Sequence, residues 1–102
     1  MTAAEVLAQA ATHVSGDRAV SHGDKRINHA CIAAVWNGIL HARLIAGNNQ
    51  ELTAHDVANL MEGLKIARRY TGTFNPDDYV DGAGYAAVAC ECAVQPSTSD
   101  EA

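Results

Sequence analysis

Apolar residues recur every three or four positions in four stretches of this chain, and each stretch ends at a residue that stops a helix. That pattern leaves little room for any fold except an all-helical one. The first stretch, near Ala3 to Val14, carries Val6, Leu7, Ala10 and Val14 and stops at Ser15-Gly16. The second begins after Asp24, a good N-cap, and continues to about Ala46, with Ile27, Cys31, Ile32, Val35, Ile39 and Leu40 as its buried stripe. Gly47-Asn48-Asn49 closes it, because Gly and Asn tolerate the left-handed conformation at a helix C-terminus. In the third, Thr53 is the expected N-cap and Asp56 completes a capping-box-like pair. Val57, Leu60, Met61, Leu64 and Ala67 then repeat to Arg69 or Tyr70. The fourth is announced by "NPDD", with Asn75 as N-cap and Pro76 at the first helical position, and runs to about Val94 before Gln95-Pro96.

The apolar residues are mostly Ala, Val, Ile and Leu, and only five of the 102 residues are aromatic, which favours closely packed helices over a β-sandwich. Short connections between helical segments predict a compact four-helix, mainly antiparallel bundle-like domain over residues 1–95. Residues 96–102 read as a disordered acidic tail. Seven Lys and Arg against twelve Asp and Glu give a net charge of −5, so a broad basic face for nucleic acid is not expected. The N-terminus has no cationic start and carries Glu5 early, unlike a signal peptide. No apolar run approaches the ~20 residues that cross a bilayer. Cys31, Cys90 and Cys92 lie in apolar runs and read as reduced core thiols; Cys90 and Cys92 point too far apart on a helix to share a metal.

A few polar residues resist a purely structural explanation. Asp77 and Asp78 suit the first turn of the fourth helix. Asp81 lies beyond that turn among small and apolar neighbours, where a carboxylate is costly unless paired, protonated or bound to a cation. Either Lys65 or Arg68 could pair with it, and Asp78, Asp81 and Tyr85 share one face. Gly82 and Gly84 point to a close approach of another backbone or a ligand, within the chain or across a dimer. At the start of the second helix, His22-Gly23-Asp24 resembles a weak anion-binding entry, with Asn28 on the first turns as the most direct contact. The histidines show no zinc-type spacing, and Trp36 reads as core.

The segments "GDR", "HGD", "NHACIAAVWN", "DVANLMEGLKIAR" and "DDYVDGAGYAAVA", spanning residues 16 to 91, resemble a phage and prophage family of small proteins of unknown function. His22 and His29 stand where that family usually has tyrosine and phenylalanine. More distantly the layout is similar to the MazG-like all-α nucleotide pyrophosphohydrolases, which hold Mg²⁺ with paired carboxylates on neighbouring helices, usually within an oligomer, so the resemblance also implies a homo-oligomer. That likeness implies Asp78 and Asp81 as metal ligands if the chain uses Mg²⁺. The first carboxylate pair has no counterpart, since Lys65 follows Glu62 and Asn59 follows Asp56.

The expectation is therefore a nucleotide or other phosphate-bearing ligand, held by His22, Gly23, Asp24, Asn28, Lys65, Arg68, Asp78, Asp81 and Tyr85. The chain would work as a degenerate or active hydrolase in the host cytoplasm. The alternative is a non-enzymatic phage accessory that binds a host protein or sequesters a signalling nucleotide.

Overall fold

Capping chemistry fixes where the helices begin and end. The computed structural model describes residues 1–15 and 24–94, and those residues form four α-helices and no strand. They are α1 (Ala3–Ser15), α2 (Lys25–Ile45), α3 (Ala54–Arg68) and α4 (Asp77–Ala93). Asp24 caps α2, its carboxylate accepting from the Arg26 N–H at 2.8 Å. Gly47, at φ +91°, ends α2 and donates to the Leu44 carbonyl at 2.9 Å. Thr53 and Asp56 form a complete capping box at the start of α3. Asn75 Oδ1 accepts from the Asp77 N–H at 3.0 Å, so it caps α4 across Pro76, which already has helical backbone angles.

Helix α3 packs against both α2 and α4. Trp36 at mid-α2 donates its indole N–H to the Leu60 carbonyl at 2.6 Å, and Arg43 late in α2 meets Asp56 early in α3. Early Asn28 meets Thr71, just beyond α3, so α2 and α3 run antiparallel. Lys65 meets Asp81 and Arg68 meets Asp78, which makes α3 and α4 antiparallel as well. Gly63 lets α2 come close: a Cβ there would lie 2.7 Å from Ile39 Cδ1 and 3.0 Å from Val35 Cγ1.

The compact four-helix bundle expected from the sequence appears only as this three-helix part. Helix α1 buries none of its residues, and the radius of gyration is 17.2 Å, against about 13 Å for a compact chain of this length. The buried apolar residues are Ala58, Leu60, Ala67 and Ala89. Ile27 and Leu40, expected in the buried stripe of α2, are exposed, because that stripe is wider than the single face α3 covers. Cys90 and Cys92 are exposed rather than core, since α4 has α3 on one side only, while Cys31 is half-buried. Among the described residues no helix is long and apolar enough to cross a membrane.

Candidate functional site

Charge gathers where α3 ends and α4 begins. The last turns of α3 supply Lys65 and Arg68, with Arg69 as its C-cap, and the first turns of α4 supply Asp78, Tyr79 and Asp81. Cations suit the C-terminus of one helix and anions the N-terminus of the other, so the antiparallel pairing brings opposite charges together at one end. Arg68 Nε lies 3.2 Å from Asp78 Oδ1, with side chains 18% and 5% exposed. Lys65 Nζ lies 3.1 Å from Asp81 Oδ2, and there the carboxylate is 46% exposed.

The expectation for Asp81 is therefore corrected. The buried carboxylate is Asp78, one turn earlier, while Asp81 stands at the rim, paired with Lys65. Proximity to α3, not the apolar character of sequence neighbours, decides which acid loses its water. Gly82 faces the same seam: a Cβ there would lie 2.5 Å from Arg69 Nη2 and 3.6 Å from Lys65 Cβ. Gly84 has nothing among the described residues within 4 Å of such a Cβ, so the two glycines have different causes.

Arg69 is the residue that sequence reasoning missed. Its position in the last turn offers a sufficient dipole explanation, and nothing local marks it out. In the fold its guanidinium lies over the Tyr79 ring, 4.5 Å from the centroid, and Nη2 donates to the Asp78 carbonyl at 3.3 Å. Its Nε is buried with no hydrogen-bond partner among the described residues. Arg69 lines a cavity of about 120 Å³ together with Arg68, Thr71, Phe74, Asp78 and Tyr79. Phe74 packs on Tyr79 with ring centroids 5.9 Å apart and is itself 78% exposed, so an aromatic surface rises from one side of the cavity.

Asn28 comes to this corner, but as support. It is buried, and its Oδ1 accepts from the Thr71 hydroxyl at 3.1 Å, tying the start of α2 to the loop that lines the cavity. Asp24 is exposed and acts as a cap. His22 and Gly23 lie outside the described residues, as does the acidic tail. Tyr85 lines a separate shallow groove on the outer face of α4, with Val80, Asp81, Gly84 and Val88. Of the expected set, the structure thus brings Arg68 and Asp78 to one cavity, holds Asn28 behind its Thr71 wall, sets Lys65–Asp81 a turn away, and places Tyr85 elsewhere.

The residues do not fit a Mg²⁺ centre well. Both candidate carboxylates already face a cation at 3.1–3.2 Å, and a metal would have to displace Lys65 and Arg68. No group of three or more His, Cys, Asp or Glu among the described residues could hold a metal. A third ion pair, Arg43 Nε to Asp56 Oδ1 at 3.0 Å, lies at the opposite end of α3. A hydrogen bond from the Thr53 backbone N–H holds the Asp56 carboxyl below its ordinary range; burial opposes this, and the Thr53 hydroxyl and Arg43 add to it.

A family profile for a domain of unknown function (DUF6378) matches residues 5–93. Gene 55 protein of Mycobacterium phage L5 is 37% identical over 83 residues, 81% of this chain and 49% of the relative. Gene 55 protein of Mycobacterium phage D29 is 35% identical over 81 residues, 79% of this chain and 48% of the relative. The chain spans about half the length of these curated relatives. No solved structure matches.

Proposed function

The chain belongs to the DUF6378 family, which has mycobacteriophage relatives, and from its geometry we propose that it binds a small phosphate-bearing ligand at the α3–α4 corner without hydrolysing it. One observation carries this reading: the buried, unpartnered Nε of Arg69 in the wall of the cavity. A buried N–H without an acceptor costs about 1–3 kcal/mol, and a phosphate oxygen would supply the acceptor. Lys65 and Arg68 are each offset by a carboxylate, whereas Arg69 meets a backbone carbonyl and an aromatic face among the described residues. A cavity of about 120 Å³ accepts a phosphate group and not a whole nucleotide. The rest of a nucleotide would lie over Phe74. Binding through a guanidinium needs no Mg²⁺, and Asp78 and Asp81 are each engaged by a cation rather than poised to activate water. The site works inside a homo-oligomer, which gives the exposed apolar faces of the chain a place to go.

A second reading, a non-enzymatic accessory that docks on a host protein, draws on Tyr70 and Phe74, which are 85% and 78% exposed at the same corner. Thermal-shift titrations with inorganic phosphate, pyrophosphate and nucleoside phosphates, with and without Mg²⁺, test the ligand reading. A stabilisation independent of Mg²⁺ and lost in Arg69→Gln is expected. No shift with any of these, or an equal shift in the variant, refutes it. Release of pyrophosphate would put a hydrolase in its place.

A further inference from the structure

Two buried side-chain atoms have no hydrogen-bond partner among the described residues, and they are opposite in kind. Arg69 Nε is a donor and Asp78 Oδ1 is an acceptor. Both residues line the same cavity of about 120 Å³ at the α3–α4 corner. The fold does not pair the two atoms, because Arg69 meets Asp78 through Nη2 and the backbone carbonyl, at 3.3 Å. Arg68 Nε offsets the charge of Asp78 from 3.2 Å, yet Oδ1 accepts no directed hydrogen bond. With that side chain 5% exposed, an unmet carboxylate oxygen is costly.

A fully ionised phosphate or sulfate group meets only half of this pair. It presents acceptors alone, which suit Arg69 Nε and repel the Asp78 carboxylate. A phosphate that keeps one P–OH meets both, accepting from the guanidinium and donating its hydroxyl to Oδ1. The charges agree. Arg68 and Arg69 from α3 against Asp78 from α4 leave a single positive charge, which a phosphate monoanion neutralises and a dianion exceeds. Lys65 and Asp81, a turn away, offset one another, and Asn28 from α2 brings no charge. Tyr79 also lines the cavity, and no histidine among the described residues does. We infer that the site selects the hydrogen-phosphate form of a terminal phosphate group, with Asp78 reading its P–OH. This rests on the phosphate-binding reading above and narrows it, since phosphodiesters and sulfate esters lack the hydroxyl and are refused.

Methyl phosphate and methyl sulfate test the inference, because as monoanions they match in shape and charge and differ in that one hydroxyl. In calorimetric titrations of the full chain at about pH 5.5, methyl phosphate should bind about 10- to 100-fold tighter, the worth of one hydrogen bond to a charged group. Raising the pH to about 8 should weaken it roughly 50- to 100-fold, because a phosphate monoester loses its second proton near pH ~6. The affinity for methyl sulfate should not change. Asp78→Asn, whose amide can donate to either anion, should bind the two alike. Circular dichroism shows whether that variant is folded, and if it is not, the wild-type comparisons decide alone. Equal binding of the two anions by the wild type, a methyl phosphate affinity that is flat with pH, or a folded Asp78→Asn that keeps the preference overturns the inference. Each of these leaves the broader phosphate reading standing. If neither anion binds, both fall together.

Discussion

Replacing Asp56 with Asn isolates the interaction that fixes the α2–α3 corner. The carboxylate accepts from the Thr53 N–H at 2.8 Å, from the Thr53 hydroxyl at 2.9 Å and from Arg43 Nε at 3.0 Å. An amide of the same shape keeps one acceptor but presents N–H to donors and removes the charge. Arg43 is 14% exposed and retains bonds to the Asn48 and Glu51 carbonyls, so its cation is not left wholly without partners. The loss is therefore that of one charge-assisted hydrogen bond plus part of a cap, about 2–3 kcal/mol. For a domain of this size that lowers Tm by roughly 8–20 °C.

The pH dependence has a definite sign. Because the folded carboxyl titrates below its ordinary value of 3.8, its contribution is complete above that value and disappears as pH falls through the lower, folded-state value. Urea midpoints of wild type and Asp56→Asn, measured at fixed protein concentration, should differ by a constant amount from neutral pH down to about pH 5 and converge below pH 4. A difference under ~0.5 kcal/mol at neutral pH, or one that persists unchanged into strong acid, would refute the assignment.

The two seam carboxylates should part company in the same denaturation assay. Asp78→Asn, which removes the charge from the buried carboxylate that faces Arg68, should cost about 2–4 kcal/mol, while Asp81→Asn should cost under ~1 kcal/mol and less still in high salt. Equal costs would show that burial does not separate them. Gly63→Ala should destabilise by about 1 kcal/mol: overpacking against Ile39 and Val35 costs ~1–3 kcal/mol, and the gain in helix propensity returns ~1 kcal/mol. A stabilised Gly63→Ala would mean that α2 and α3 separate without loss.

Helix identity and helix ends were legible in the sequence because both rest on neighbours within a turn or two. Apolar spacing marked all four helices, and Asp24, Gly47, Thr53 with Asp56, and Asn75 with Pro76 act where their chemistry predicts. The same locality shows that Asp78 and Asp81 share a face. It does not show which one lies under α3, or that Lys65 takes the outer acid and Arg68 the inner one. Those outcomes depend on the register of two antiparallel helices, set by Gly82 and by the turn between them. Asn28 meeting Thr71 across 43 residues, and Arg69 lying over Tyr79 with its Nε unpartnered, follow from packing alone. So does the solitude of α1, whose stripe reads like any buried one. Helices form by short-range hydrogen bonding and can be read from the chain, whereas a burial, an ion pair or an empty groove exists only once distant segments have been brought side by side.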